Sequence, residues 1–481
     1  MLFNSFDFLV FFPLVTLLYF LLPHKFRWAL LLIASCTFYM FFIPVYILIL
    51  AVTILIDYFA GMYIEKSEGK KRKLYLIISI ISTCLVLFIF KYFNFFNANF
   101  AAIANFFHLN YPIEFVNIIL PIGLSFHTFQ SLSYVIEVYR RKQKAEKNFG
   151  IYSLYVMFYP QLVAGPIERP QNLLHQFYEK HDFDYRRVVD GLKLMAWGLF
   201  KKVVIADRLA IAVNQVYGNP SEYSSFQLAI ATVFFAFQIY CDFSGYSDMA
   251  IGAAKVMGFK LMKNFNLPYF SKSISEFWKR WHISLSTWFR DYLYISLGGN
   301  RVVKWRWYFN LFITFTISGL WHGANWTFVI WGALNGFYLV FAIWTEGLKN
   351  KIHSVFKTDS WSGLYSLVQI VNTFVLTCIA WVFFRAKDVH EAMYILTHMF
   401  RKSDNTSVFI TNGKFTNQDF IFSVVLILFL SFVSFHQRNK SIIGYFLNKP
   451  VWLRYSVYLL LILSIFYLGV FEETQFIYFQ F

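Results

Sequence analysis

Apolar runs that are long enough to cross a membrane as helices recur along the chain, and they constrain the fold more than any other feature. A helix needs about 20 apolar residues to span the hydrocarbon core of a bilayer. The clearest runs approach or reach this length: Phe8–Leu22, Trp28–Phe42, Val45–Ile64, Leu74–Phe90, Trp326–Trp344, Leu364–Phe384, Ile421–Phe435 and Leu453–Val470. Weaker runs lie between them: Leu120–Tyr139, Val188–Ile205, Phe226–Ile239 and Trp307–Leu320. We therefore predict an all-α, polytopic membrane protein that forms one domain over residues 1–481 and has about a dozen embedded segments.

The composition and the distribution of charge agree with this prediction. Charged residues make up 14% of the 481 residues and hydrophobic residues 58%, whereas soluble domains are about 25% charged. The net charge of +17 could indicate nucleic-acid binding, but the bases lie in short loops beside apolar runs, as the positive-inside rule describes. We place the loops 66–73 (KSEGKKRK) and 140–147 (RRKQKAEK) in the cytoplasm, and counting spans from them puts the N-terminus outside. The bases of residues 438–454 are likewise placed inside, which puts the closing FIYFQF outside.

The cysteines and the short motifs exclude several chemistries. Cys36, Cys84, Cys241 and Cys378 stand alone, mostly in apolar segments, so we expect packing residues rather than a disulfide framework or a metal site. The sequence contains no GxSxG, Walker, HExxH or CxxC motif. A serine nucleophile stays open, although no serine has a recognisable local context.

Polar residues gather in four stretches of the middle third: 162–170 (LVAGPIERP), 238–259 (QIYCDFSGYSDMAIGAAKVMGF), 278–301 and 318–326 (SGLWHGANW). A charge near the centre of a bilayer costs a few kcal/mol or more, so such groups usually face protein or a water-filled cavity. The Gly-Pro pair in the first stretch, followed by Glu168 and Arg169, predicts a bent or re-entrant segment.

The stretch 278–301 (WKRWHISLSTWFRDYLYISLGGNR) predicts an amphipathic helix. Aromatic and apolar residues recur at helical spacing: Trp278, Trp281, Leu285, Trp288 and Tyr292. Polar residues follow the same spacing on another face: Lys279, His282, Ser286 and Arg290. The helix could lie at the membrane surface, with its bases toward lipid phosphates, or it could line an aqueous entrance for an anionic ligand. For His282 alone, a structural role and a chemical role both stay open.

The stretch 238–259 places several polar groups in an otherwise apolar segment: Asp242, Ser244, Tyr246, Ser247 and Asp248. The two carboxylates could pair with Lys255, Arg280 or Arg290 and hold helices together. They could equally contact a ligand directly.

The stretch 318–326 is the most informative, because His322 lies between Gly319 and Gly323 with Trp321 and Trp326 nearby. Small residues leave room beside the imidazole, and the indoles can enclose it. A neutral imidazole in this setting could accept a proton near pH 7. The alternative is a structural histidine that donates to a backbone carbonyl inside a helix bundle.

Taken together, the four stretches resemble the membrane-bound O-acyltransferase (MBOAT) family, and they are most similar to its bacterial alginate O-acetyltransferase branch. The resemblance covers nearly the whole chain. It implies one helical membrane domain in which a cytoplasmic and an extracytoplasmic funnel meet at a thin constriction. It also implies that His322, in WHGAN, is the catalytic histidine. His282, in WKRWHIS, matches a second position that is commonly Asn or His, and is implied to be a catalytic or positioning partner.

The resemblance implies O-acyl transfer, most simply of acetyl, from a cytoplasmic thioester to an extracytoplasmic hydroxyl. The donor substrate would be acetyl-CoA, with no bound cofactor, and the bases at Lys279 and Arg280 could attract its phosphates. The acceptor would be a glycan or a serine-hydrolase-like partner protein, and the enzyme would reside in the inner membrane. The remaining candidates for donor binding or for lining the passage are Ser286, Arg290, Asp291, Asp242, Ser244, Tyr246, Asp248, Trp321 and Asn325.

Alternatives within and outside this class remain open. Peptidoglycan O-acetylation would use the same donor with another polymer, and teichoic-acid D-alanylation would need a carrier-protein thioester. A transporter or flippase would use Asp242, Asp248 and the histidines as a substrate or proton path, although no inverted repeat is visible. A structural scaffold would not need the polar stretches at all.

Overall fold

The protein is helical wherever its structure is described. The computed structural model describes residues 1–116, 121, 123–163, 165–348, 351, 362–401, 415–437, 449–471 and 477, and these contain no β-strand. The predicted all-α fold is thereby confirmed. The chain divides into two compact units, residues 1–195 with 246–262 and residues 196–245 with 263–481. The prediction of a single membrane domain stays a prediction.

The first unit contains the N-terminal helices of the chain. These are Phe6–Leu21, His24–Met40, Ile47–Lys66, Gly69–Leu87, Phe93–Phe106, Leu124–Tyr139, Phe149–Met157, Tyr159–Leu162 and Pro170–Leu173. Single turns of 3₁₀ or π geometry join some of them at Pro44–Tyr46, Phe88–Tyr92 and Leu174–Tyr178. Most of Tyr185–Leu199 and the C-terminal part of Ser225–Met257 complete the unit.

A buried carboxylate shows how the first unit accommodates a polar group inside an apolar helix. Asp57 lies in Ile47–Lys66 and is fully buried. Ser79 Oγ donates to its Oδ1 at 2.6 Å, and Thr83 Oγ1 lies 3.1 Å from both carboxylate oxygens. Because hydroxyl donors from the neighbouring helix replace water, the carboxylate is tolerated there.

The second unit contains the remaining helices. They are Asp207–Gly218, the N-terminal part of Ser225–Met257, Ile274–Arg280, Ile283–Trp288, Lys304–His322, Trp326–Trp344, Ser362–Arg385, Val389–His398, Asn417–Gln437 and Val451–Leu468. Short π or 3₁₀ segments occur at Phe200–Ala206, Pro220–Glu222, Pro268–Phe270 and Phe289–Tyr294.

Helices of membrane-spanning length confirm the multi-pass prediction. Within the described ranges, seven helices are long and apolar enough to cross a bilayer: Pro44–Lys66, Gly69–Phe106, Ser225–Met257, Trp326–Trp344, Ser362–Arg385, Asn417–His436 and Val451–Leu468. Six of them contain or overlap clear predicted runs, and Ser225–Met257 extends a weaker one. The first two predicted runs form shorter helices of 16 and 17 residues. Ser225–Met257 is the most buried of the seven, with 72% of its most apolar stretch inside the protein.

The prediction that the cysteines are packing residues has a mixed outcome. Cys241 and Cys378 are buried, as expected of packing residues, but Cys84 is exposed on the outside of its helix, so the packing prediction is wrong for that residue. All four cysteines are free thiols.

Part of the predicted topology falls outside the described residues. This part comprises the bases Arg438 and Lys440 and all of FIYFQF except Ile477.

Glycines allow two helices of the second unit to touch backbone to backbone. Lys304–His322 packs along Trp326–Trp344. A Cβ on Gly332 would lie 2.3 Å from the Phe315 carbonyl oxygen, and a Cβ on Gly319 would lie 2.2 Å from the Phe328 carbonyl oxygen. Small residues are the usual means by which membrane helices approach this closely.

We expect Gly332→Ala to destabilise the protein, because the new methyl group meets rigid backbone rather than a flexible side chain. Overpacking of this kind costs about 1–3 kcal/mol. Gly347→Ala is the matched control, since nothing lies within 4 Å of its added Cβ. Thermal unfolding of the detergent-solubilised variants measures the difference, and equal midpoints would contradict the packing argument.

Candidate active site

His322 occupies the end of a helix in the second unit. It is the last residue of Lys304–His322, and Gly323 follows it with an extended backbone. A Cβ on Gly323 would lie 2.2 Å from the Phe328 ring, so only glycine fits there without displacing that ring. Asn325 then begins the next helix, because its side chain accepts the Thr327 N–H at 3.0 Å. The chain thus reverses around the imidazole within a few residues.

Aromatic rings enclose His322, as the sequence predicts. The centroid of its imidazole lies 4.8 Å from Trp321, 5.0 Å from Trp331 and 5.3 Å from Phe384. Only 5% of the residue is exposed to solvent. The predicted neighbour Trp321 is present, and Trp326 is about half exposed.

The segment that carries His282 is not the continuous helix that its periodicity predicts. A helix ends at Arg280, and a new one begins at Ile283. His282 lies at the break, with the left-handed backbone angles φ 41° and ψ 56°. The prediction of one amphipathic helix with a single polar face is therefore wrong. The five residues of the predicted aromatic face are nevertheless all buried in the protein: Trp278, Trp281, Leu285, Trp288 and Tyr292.

His282 is buried rather than wetted. Its exposed fraction is 1%, and its ring lies 4.5 Å from the Phe243 ring and 6.5 Å from the Phe265 ring, centroid to centroid. Burial lowers the pKa of this imidazole to about 3, because desolvation disfavours the charged form. His282 is therefore neutral at physiological pH and can donate or accept a hydrogen bond without carrying charge.

A continuous set of ring contacts connects the two histidines. Trp331, against His322, lies 5.8 Å from Trp381, which lies 5.1 Å from Trp281. Trp281 in turn lies 5.1 Å from Phe265, which faces His282. We call the four rings Trp331, Trp381, Trp281 and Phe265 the aromatic bridge. The second unit thus brings both predicted catalytic residues to one aromatic cluster.

The other predicted residues of 278–301 lie nearer the surface. Lys279 and Arg290 are exposed, and Arg280, Ser286 and Asp291 are half-buried. Arg280 pairs with Glu276 at 2.6 Å, and Arg290 pairs with Asp291 at 2.8 Å. Ser286 Oγ donates to the Trp281 carbonyl at 3.1 Å. These side chains are therefore more exposed than His282, although they lie close to it in sequence.

Asp242 and Ser244 are engaged by lysines that the sequence analysis did not select. Lys202 Nζ lies 2.8 Å from Asp242 and 2.7 Å from Asp207, and all three side chains are buried. Lys201 Nζ lies 2.8 Å from Ser244 Oγ. The helix-pairing alternative is correct for Asp242, but the predicted partners Lys255, Arg280 and Arg290 are wrong.

The last two predicted residues of this helix belong to the first unit. Tyr246 donates to Asn4 Oδ1 at 2.8 Å, and Asp248 is half-buried. Lys255, one of the three bases that the sequence analysis offered as partners of Asp242 and Asp248, pairs with Asp190 at 3.4 Å.

Glu168, in the Gly-Pro stretch, is fully buried in the first unit. Residues 165–169 are non-helical, so the predicted break is confirmed. The Met262 N–H donates to Glu168 Oε1 at 2.5 Å, and Asn172 lies 3.4 Å from Oε2. Burial raises the pKa of this carboxyl to about 7, more than the Met262 N–H lowers it.

The sequence analysis did not select Lys201, Lys202, Asp207 or Asn264. Two adjacent lysines inside the apolar run 188–205 were a visible signal, because charges in such runs are usually paired or functional.

A cavity of about 290 Å³ lies elsewhere in the second unit, between Tyr240, Tyr269 and Phe374, and no predicted site residue lines it. In the described part of the chain, no three His, Cys, Asp or Glu side chains are grouped to hold a metal ion.

The comparison with known proteins decides the family. The profile of the membrane-bound O-acyltransferase family, MBOAT, matches residues 79–384. The chain belongs to this family. Its whole length aligns at 36% identity with the whole length of a Pseudomonas putida protein named probable alginate O-acetylase AlgI.

Two other relatives extend the comparison. A Pseudomonas aeruginosa protein of the same name is 40% identical over 83% of this chain and 75% of its own. A Helicobacter pylori peptidoglycan O-acetyltransferase is 33% identical over 94% of this chain and 91% of its own. This MBOAT protein is therefore a membrane-bound acyltransferase.

We expect Lys202→Met to destabilise this MBOAT protein by about 3–5 kcal/mol, because it leaves two buried carboxylates without their cation. Lys255→Met is the matched control, since its partner Asp190 is 3.4 Å away and both side chains are partly exposed. Such pairs contribute about 0–1 kcal/mol. Thermal unfolding in detergent measures both, and a Lys202→Met variant as stable as the control would contradict the buried network.

We expect Glu168→Gln to remove a pH-dependent part of the stability. A carboxyl whose folded pKa lies above its unfolded value stabilises the fold only while protonated, so stability is lost as pH rises from about 4.5 to 7. The loss amounts to about 3 kcal/mol. Thermal midpoints of wild type and variant should converge at pH 5, and the variant should be the more stable at pH 8. Glu179→Gln, at an exposed position, is the control, and parallel pH profiles for wild type and Glu168→Gln would refute the assignment.

Proposed function

We propose that this enzyme transfers an acetyl group from acetyl-CoA, on the cytoplasmic side of the inner membrane, to a hydroxyl group of an extracytoplasmic polysaccharide. The observation that supports this proposal most strongly is the setting of His322. Its imidazole is buried at the end of a helix and is enclosed by Trp321, Trp331 and Phe384. Similarity to two proteins named as alginate O-acetylases supports acetyl as the group and an exported glycan as the acceptor.

His322 is proposed as the general base. Its ring removes the proton from the acceptor hydroxyl while the oxygen attacks the thioester carbonyl carbon. The tetrahedral intermediate then expels the thiolate as the carbon–sulfur bond breaks. The proton held by His322 passes to the departing sulfur, which regenerates the neutral imidazole. No bound cofactor is required by this sequence of steps.

His282 is proposed to stabilise the oxyanion. A neutral imidazole donates one N–H, and a donor held in a dry site is worth far more to a developing charge than the same donor in water. The lowered pKa of His282 keeps it in this uncharged form. The aromatic bridge supports the two roles because each imidazole packs against one of its rings, His322 against Trp331 and His282 against Phe265, and such rings cannot rotate freely in a packed interior.

The bases before His282 are proposed to attract the donor. Lys279 is exposed and Arg280 half-buried, so both can meet phosphates at the rim of a cytoplasmic entrance. The Asp242 and Ser244 side chains, by contrast, are proposed as structural because lysines engage them. The immediate acceptor is proposed to be a serine-bearing partner protein that passes the acetyl group to the polymer.

A second candidate function is peptidoglycan O-acetylation, which the 33% identity to the Helicobacter pylori enzyme favours. It uses the same chemistry at His322 and differs in the acceptor. Teichoic-acid D-alanylation would instead replace acetyl-CoA by a carrier-protein thioester. Membership of an acyltransferase family disfavours the transporter and scaffold alternatives.

We expect His322→Ala to reduce acetyl transfer by about 10²–10⁴-fold, because the hydroxyl loses its base. Inverted membrane vesicles supplied with [¹⁴C]acetyl-CoA report donor use, and mass spectrometry of the cell-envelope glycans reports the product. His390→Ala, at an exposed histidine of the same unit, should retain full activity.

The same experiment separates the alternatives. Acetylated alginate-type polymer supports the main proposal, acetylated muropeptides support the second candidate, and transfer only from a D-alanyl carrier protein rejects acetyl-CoA. Undiminished acetylation by a well-folded His322→Ala protein would remove the general base from the mechanism.

A further inference from the structure

The backbone at His282 is held in a conformation that side-chain residues rarely adopt. Its φ of 41° lies in the left-handed region, which only four non-glycine residues of the described chain enter. Residues persist in such conformations when the surrounding structure fixes them, and such positions cluster at functional sites.

A buried asparagine from a separate segment fixes the residues that follow His282. The Asn264 backbone oxygen accepts the Ile283 N–H at 2.9 Å. Its side-chain Oδ1 accepts both the Ser284 N–H, at 3.2 Å, and the Ser284 hydroxyl, at 2.9 Å. Asn264 is 1% exposed and Ser284 is fully buried. Three hydrogen bonds thus converge on the first two residues after the break.

The segment 264–266 also fixes the residues before the break. The Asn266 N–H donates to the Arg280 carbonyl at 2.9 Å. Between the two asparagines, Phe265 places its ring 5.1 Å from Trp281 and 6.5 Å from His282. The segment therefore holds the backbone on both sides of His282 and one side of its ring.

These contacts replace the capping bond that a helix start normally receives from its own N-cap residue. The first N–H groups of a helix have no partner within it, and the N-cap side chain usually accepts one of them. His282 is the N-cap of Ile283–Trp288, yet it makes no such bond. Asn264 satisfies Ile283 and Ser284 in its place, so the imidazole is not used to cap its own helix.

We infer that Asn264 is a positioning residue for the acyl-transfer reaction, which acts by holding His282 in the left-handed conformation with its ring against Phe243. The inference rests on the proposed role of His282 as oxyanion donor. The three hydrogen bonds of Asn264 to Ile283 and Ser284 hold the residues that directly follow His282, so its effect runs through their backbone. A displacement of about 1 Å in such a donor can cost on the order of 100-fold in rate.

The test compares Asn264→Ala, Asn264→Asp and Ser284→Ala in membrane vesicles with [¹⁴C]acetyl-CoA. Asn264→Ala should lower kcat by about 100-fold with KM for the donor unchanged. Asn264→Asp keeps an oxygen at Oδ1 for both Ser284 donors and should restore most of the rate. Ser284→Ala, which removes one of the three hydrogen bonds, should lie between them.

A double-mutant cycle with His282→Ala separates the inference from the proposed function. If Asn264 acts through His282, Asn264→Ala should have no further effect once His282 is Ala. If the rate reductions caused by Asn264→Ala and His282→Ala multiply in the double variant, the inference is overturned. It is also overturned if Asn264→Ala is fully active while His282→Ala is impaired. Full activity of His282→Ala would instead overturn the oxyanion role itself. Should Asn264→Ala fail to fold, the cycle of Ser284→Ala with His282→Ala gives the same decision.

Discussion

The backbone contact between the helices Lys304–His322 and Trp326–Trp344 is the interaction on which the candidate site depends. Gly319 lies one turn before His322, and its contact with the second helix places Phe328 and Trp331 beside the end of the first. The reversal at Gly323 then leaves the imidazole at the helix terminus rather than along its side. The aromatic enclosure of His322 therefore depends on the close packing of these two helices.

Much of this arrangement could be predicted from the sequence, because it depends on local features. Apolar length identified most of the spanning helices, since the thickness of a bilayer fixes the number of residues that a helix needs. The spacing of Gly319, His322 and Gly323 among tryptophans selected His322. The spacing of 278–292 also grouped residues that are all buried, because it shows which side chains share one face and avoid water.

The features that the sequence did not reveal depend on tertiary partners. The aromatic period runs from Trp278 to Tyr292 without interruption, so nothing in it signals the break at His282, which contacts of Asn264 and Asn266 maintain. Asp242 has its cation 40 residues earlier, in a π-helical segment within an apolar run. Periodicity reports which face of a helix is buried, but it does not report which distant side chain will be found there.

The left-handed backbone at His282 limits the amino acids that this position can hold before any chemistry is considered. Asparagine, aspartate and histidine enter that region more readily than other side-chain residues, whereas β-branched residues are largely barred from it. Asparagine is also the smallest of these that keeps a neutral N–H donor. The backbone conformation therefore limits position 282 to a few residue types. The need for a neutral hydrogen-bond donor reduces that set further.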